Sequence, residues 1–221
     1  MSEIGLFETI YSTSGMVGVK PDPVEEDKIR RILDAAVRAP SGENAQPWQF
    51  VVVRDPEVKA RISRIVADGT DVYFSLREAV RWPKLPTKIE RVARKFAAET
   101  KKVPVLIFLC LDNKRVGQGM KMSLSAAMMF LRNPHMFHWA EVGRYGSIFP
   151  AMQNLLLAAR GLGLATRVNM YPLIFKGKVE AILGIPKYVE PVAMIYLGYP
   201  DGPFVTTRRI PSEQSTHYDR W

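Results

Sequence analysis

The spacing of apolar and polar positions divides this chain into short amphipathic helices separated by a few buried strands. Ile29, Ile32, Leu33, Ala36 and Val37 recur at i, i+3, i+4, i+7 and i+8, which places one apolar face along a helix. Asp22 reads as its N-cap, Pro23 as its first residue and Glu25 as a capping-box acid, with Pro40 closing it. Gln49-Phe50-Val51-Val52-Val53 follows as a buried strand. Asp55-Pro56 opens a second helix carrying Val58, Ile62 and Ile65; residues 68–86 have no clear period, and Trp82–Pro86 reads as a loop. A helix over about 87–100 leads into the apolar run from Val103 to Leu109, a second buried strand. Later come a helix near 149–160 with Met152, Leu155, Leu156 and Ala159 on one face, stopped by Gly161 and Gly163, and a strand from Leu164 to Tyr171. A short helix with Val179, Ile182 and Leu183 ends at Gly184, and Val192–Leu197 is the last core strand.

Three stretches fit this pattern less simply. Ile4, Phe7, Ile10 and Tyr11 mark a short N-terminal helix suited to packing on a neighbour. Residues 112–145 concentrate Met120, Met122, Met128, Met129, Met136, Phe130, Phe137 and Trp139. Such a group serves either as adaptable core packing or as a lid over a ligand, because methionine adapts to both. From Gly198 the chain turns polar and rich in turns, yet it ends on Trp221. Burying a tryptophan is worth a few kcal/mol, on the order of 2–3, so the tail is expected to lie across a surface, such as that of another subunit.

Composition narrows the classes. The 221 residues fit one domain, and 47% hydrophobic with 24% charged residues describes a globular chain. No apolar run approaches the roughly 20 residues of a membrane span, and the N-terminus lacks a basic start and apolar segment, so a cytoplasmic protein without a membrane partner is expected. Cys110 is alone in an apolar run and reads as an inert buried thiol. His135 and His138 lack a third ligand nearby, so no metal is expected. A net charge of +9 from 31 basic and 22 acidic residues invites a nucleic-acid reading. The basic residues are spread along the chain, however, and Lys88, Arg91 and Lys95 line the solvated side of a helix opposite Ile89, Val92 and Phe96, so no nucleic-acid partner is expected. There is no G-x-S-x-G, phosphate-binding loop or H-E-x-x-H pattern. That absence suits a protein whose cofactor carries the chemistry.

Ala39-Pro40-Ser41-Gly42-Glu43-Asn44-Ala45-Gln46-Pro47-Trp48 holds the most chemistry. Two prolines stiffen it and Gly42 is expected to allow close approach. Ser41, Asn44 and Gln46 offer uncharged donors and acceptors suited to a flat heterocycle with carbonyl and N–H edges. A loop that satisfies only its own backbone is the plain alternative. The spelling closely resembles the A-P-S-(G/S)-x-N-x-Q-P-W segment of the FMN-dependent nitroreductase family. Lys20–Val24, Val52–Glu57, Ser147–Leu155 and Asp219-Arg220-Trp221 resemble that family too, and the likeness covers residues 20–62, 103–111, 146–169 and 179–221.

The resemblance implies an α+β fold, a mixed, largely antiparallel sheet flanked by helices, and a homodimer with exchanged termini. It also implies FMN as cofactor, NADH or NADPH as electron donor, and a nitroaromatic, quinone or related electron-poor acceptor. A relative that has lost turnover and acts as a binding protein is the alternative. Position by position, it places Pro40, Ser41, Gly42, Asn44 and Gln46 against the isoalloxazine and ribityl chain. Ser147, Ile148, Phe149 and Pro150 give backbone against the ring, Arg167, Val168 and Asn169 pass its edge, and Arg209 holds the phosphate. The chain departs at the N-terminal phosphate loop, where Ser14, Val17 and Gly18 stand in place of arginines. Thr13, Ser14, Gly15 and Val17 are left to hold the phosphate by hydroxyls and backbone amides.

Overall fold

The computed structural model describes residues 4–15, 18–80, 89–116, 123–133 and 135–221. In chain order these form α1 (Leu6–Ser12), β1 (Gly18–Val19), α2 (Glu26–Ala36), β2 (Trp48–Val53), α3 (Pro56–Ala79) and α4 (Ile89–Lys102). There follow β3 (Val105–Asp112), α5 (Leu124–Arg132), α6 (His135–Gly146), α7 (Phe149–Gly161), β4 (Ala165–Asn169), α8 (Lys176–Leu183), β5 (Val189–Gly198) and β6 (Pro200–Asp201).

The core is a four-stranded sheet in the order β2-β3-β5-β4, with every pair antiparallel. All eight residues of β3 are buried, as a central strand covered on both faces requires. Side chains alternate between two helical layers. On one face, Leu106, Phe108, Met194 and Tyr196 pack against Ile62, Ile65 and Val66 of α3, with Phe96 of α4 and Ile182 of α8 beside them. On the other, Val105, Ile107, Ile195 and Leu197 pack against Ile29 and Ile32 of α2 and Leu155 and Ala159 of α7. That second layer continues past a register shift between Leu109 and Cys110 into Trp48, Leu111, Ile148 and Ala151. The expected α+β architecture is present.

Several local expectations are corrected. Helix α2 starts at Glu26 with Glu25 as N-cap, not at Asp22–Pro23. The preceding chain is pinned elsewhere: β1 pairs with β6, Lys20 N–H donates to Tyr199 O at 2.8 Å, and Val24 is buried. The Glu25 carboxylate accepts from Tyr199 Oη at 2.6 and 2.8 Å and pairs with Lys28 at 3.3 Å, so it closes no capping box. Asp55 does cap α3, accepting from Val58 N–H at 2.8 Å. Helix α3 runs on through residues 68–79, where no period was legible, because Gly69 and Thr70 occupy buried positions normally filled by large apolar residues. Strand β4 stops at Asn169, and Tyr171–Phe175 forms a 3₁₀ turn instead of the end of a strand.

In the Met-rich stretch, Met120 and Met122 lie outside the described residues, as does the Trp82–Pro86 loop. Of the rest, Met128, Met129, Phe137 and Trp139 are exposed on α5 and α6, so they do not fill a core in this chain. On α4, Arg91 and Lys95 are exposed and Val92 and Phe96 half-buried, as their spacing predicted; the side chains of Lys88 and Ile89 lie outside the described residues. Among the described residues no helix is long and apolar enough to cross a membrane.

Cys110 is fully buried, and burial pushes its thiol up to about 12. The thiolate is the reactive form, so the folded protein is expected to resist iodoacetamide at pH 8 and to be alkylated on unfolding. Mass spectrometry of native and urea-treated samples checks this; equal labelling of both would show an accessible thiol.

Candidate functional site

The 40–48 loop is anchored at its C-terminal end, where Pro47 and Trp48 are buried and Asp112 N–H donates to Pro47 O at 2.7 Å. Ahead of that anchor the backbone is strained. Glu43, Asn44 and Gln46 have φ of 53°, 54° and 48°, in the left-handed region that costs an ordinary residue about 1–2 kcal/mol. Gly42, expected to be the permissive residue, has no positive φ; a Cβ there would sit 3.8 Å from Ser147 Oγ, an ordinary contact.

A hydrogen-bonded frame holds this strain. Ser41 Oγ accepts from Gln46 N–H at 3.0 Å, and Ser41 O accepts from Asn44 N–H at 3.1 Å. Ser147 Oγ accepts from Gly42 N–H at 3.1 Å and donates to Gly143 O at 3.2 Å, tying the loop to α6. Arg115 Nη1 donates to Gln46 O at 2.9 Å, and its Nε lies 3.7 Å from Asp112. Pro40, Gly42, Asn44 and Gln46 are thereby left exposed on a braced loop, beside the fully buried Ile148, the half-exposed Phe149 and Pro150 in the first turn of α7. The bracing roles of Ser147 and Arg115 had no signal in the sequence, because their partners lie 105 and 69 residues away.

Strand β4 divides its three expected site residues between the two faces of the sheet. Val168 packs with Ile148 and Met152 on the α7 face. Arg167 and Asn169 point to the α3–α4 face beside Tyr196. Asn169 is committed internally: Nδ2 donates to Tyr196 Oη at 2.9 Å and Oδ1 accepts from Tyr171 N–H at 2.9 Å. Tyr196 Oη also meets Thr100 Oγ1 at 2.7 Å, and burial raises its pKa. The Arg167 guanidinium pairs with Glu99 and donates from Nε to Gly15 O at 3.3 Å.

The N-terminal loop therefore meets Arg167, on the opposite face from the 40–46 loop. Thr13 Oγ1 closes α1 by donating to Thr9 O at 2.6 Å, Ser14 is half-buried, and Val17 lies outside the described residues. Arg209 is exposed, and its hydrogen bonds go to Thr207 and Arg208 within the tail. Nearer its start the tail is held where Phe204 lies 3.8 Å beneath Arg160, whose Nε donates to Ser12 Oγ at 2.9 Å. A cavity of about 210 Å³ beside Arg167 is lined by Glu99, Lys102, Tyr196 and Asp201, and a groove of about 260 Å³ lies between Phe50 of β2 and the α8–β5 connection at Tyr188. The structure thus collects the expected residues into two groups, one of uncharged amides and hydroxyls beside an apolar surface, the other of small hydroxyl residues beside a cation. That donor set fits the heterocycle and the phosphate of a flavin mononucleotide, but one chain does not bring its two halves together.

The sequence model of the Nitroreductase family matches residues 19–199. The chain belongs to that family. Among similar proteins, an NADH dehydrogenase of Thermus thermophilus is 29% identical over 195 residues, 88% of this chain and 86% of that one. Iodotyrosine deiodinase 1 of Rattus norvegicus is 28% identical over 194 residues, 88% of this chain but only 61% of the longer relative. The NADPH:FMN oxidoreductase of Vibrio harveyi, solved with NAD+, superposes with a TM-score of 0.69 at 19% identity, covering 98% of this chain and 77% of that one. At that identity the likeness shows the fold alone. Membership of the nitroreductase family makes this chain an oxidoreductase by class.

Proposed function

We propose that this nitroreductase-family protein is an FMN-dependent oxidoreductase that takes reducing equivalents from NADH or NADPH and passes them to a nitroaromatic, quinone or related electron-poor small molecule in the cytoplasm. The carrying observation is the braced 40–46 loop, where left-handed backbone at Glu43, Asn44 and Gln46 is held by Ser41 and Ser147. Strain of this kind collects at ligand sites, because packing must pay for it. When bound, the flavin supplies the hydride chemistry. This chain's residues do the rest. Asn44 and Gln46 present amides to the heterocycle's carbonyl and N–H edges, Phe149, seated on the buried Ile148, excludes water from its face, and Arg209 meets the phosphate charge.

The working unit is a homodimer. Its support is the separation of the two groups on opposite faces, which a two-fold axis overcomes by joining the loop of one copy to the Arg167 side of the other. Exposed Leu6, Phe7 and Tyr11 on α1, and Ile210, Tyr218 and Trp221 in the tail, add apolar surface that a second copy would cover. Among the described residues no strand pairs with the outer side of β2, which makes it a template for an extended tail.

The test is a visible absorption spectrum of the protein supplied with FMN, followed by anaerobic addition of NADH or NADPH. A perturbed flavin spectrum that bleaches is expected. A spectrum equal to that of free FMN at every loading would sink this reading. A second reading, a flavin-binding relative without turnover, is favoured by Ser14 and Gly18 in place of arginines. FMN that binds but is bleached by neither donor would select it.

A further inference from the structure

The proposal rests on the flavin reading and concerns how this chain grips an anion without the N-terminal arginines. The loop over residues 12–18 carries no cation. Across the sheet-side gap, however, Arg167 of β4 touches it directly, with Nε 3.3 Å from Gly15 O. A guanidinium has five N–H donors, and the contacts to Gly15 and Glu99 use two of them. Lys102 lies on the same cavity of about 210 Å³, which places a second cation beside Arg167. Gly18 and its ladder partner Asp201 line that cavity too, so the end of the loop reaches the same space as the two cations, with Asp201 adding a carboxylate there.

We infer that Arg167 replaces the missing loop arginines as the cation for the phosphate of the bound flavin nucleotide, with Glu99 as the counter-ion that the phosphate displaces. The geometry carries this. Arg167 is tied to the loop's own carbonyl, next to the hydroxyl-bearing Thr13 and Ser14, and its side chain is only 21% exposed. Tyr196 lies 5.9 Å beneath the guanidinium and the Thr100–Tyr196–Asn169 chain of hydrogen bonds fixes that ring, so the cation stands on a rigid base. Glu99 neutralises Arg167 in the absence of ligand and competes with an incoming phosphate. Its removal has a direction that a purely structural ion pair would not share: it strengthens the anion's hold.

FMN and riboflavin differ by the phosphate alone, so their affinities isolate it. The whole protein is titrated into each flavin and the change in flavin fluorescence is followed, for wild type, Arg167→Gln, Arg167→Lys and Glu99→Gln. A charge-assisted contact corresponds to about tenfold or more in affinity. Arg167→Gln is expected to weaken FMN by that factor and leave riboflavin unchanged. Arg167→Lys should restore part of the loss, since it keeps the charge without the fork. Glu99→Gln should tighten FMN several-fold with riboflavin unchanged. If Arg167→Gln weakens both flavins equally, or Glu99→Gln fails to tighten FMN, the assignment is overturned while the flavin reading stands. A wild-type protein that binds neither flavin overturns the flavin reading itself.

Discussion

Deleting residues 202–221 is expected to convert a particle of about twice 25.0 kDa into a monomer or an aggregate, and to remove flavin binding with it. The tail covers little of its own chain. Trp221 is 101% exposed and Tyr218 84%, and Ile210 is exposed as well. Each large side chain buried against a partner would contribute about 1.5–3 kcal/mol. On the proposed dimer, these side chains are surface that a second copy would cover. Arg209, the proposed phosphate contact, leaves with the deletion, and the loss of its charge alone is expected to weaken phosphate binding about tenfold or more. Light scattering with a flavin titration measures both. A truncated chain that stays a flavin-loaded dimer would reject the tail as the joining element. A flavin-loaded monomer would reject the dimer as the working unit.

Much of the fold was legible because strong periods and punctuation agree. The α7 face of Met152, Leu155 and Ala159, the apolar run of β3 and the left-handed Gly184 that ends α8 each carry a local signal. Reading failed where tertiary contacts set the local outcome. At Asp22 a capping pattern was present, but pairing of β1 with β6 and the Tyr199–Glu25 contact hold that segment extended. In α3 the buried stripe runs through Gly69 and Thr70, with Thr70 Oγ1 returning its hydrogen bond to Val66 O at 2.6 Å, so no large apolar residue marked the face. In α2 a local signal was overruled, whereas in α3 the helix forms without one.

The site was legible as a set of residues and illegible as an arrangement. The loop spelling located the strained turn, but its positive φ falls on Glu43, Asn44 and Gln46 and not on Gly42. Propensity predicts the reverse, and the observed form is braced by Ser41 within the loop and by distant Ser147 and Arg115. Arg167-Val168-Asn169 read as one continuous edge, whereas a strand sends alternate residues to opposite faces. One residue of the three thus shares a side with the 40–46 loop.

Gly69→Ala is expected to lower stability by about 3 kcal/mol or more, at or above the top of the usual range for overpacking. A Cβ at this position would stand 2.1 Å from Tyr171 O and 2.7 Å from Tyr171 C. These are backbone atoms, so no rotamer change relieves the contact. The 3₁₀ turn that begins at Tyr171 must move, and Tyr171 N–H is the donor to Asn169 Oδ1. Displacing it disturbs the end of β4 and the Asn169–Tyr196 bond that supports Arg167. On the proposed role of Arg167, loss of FMN affinity is therefore expected to accompany the loss of stability. Gly143→Ala in α6 is the matched control: nothing among the described residues lies within 4 Å of its Cβ, and removing a helical glycine should raise stability by about 0.8–1 kcal/mol. Thermal unfolding of the two variants beside wild type, with an FMN titration on each, reads both effects. Equal melting temperatures for all three proteins would show that the turn after β4 yields freely, and that the close approach of α3 does not fix the position of Asn169.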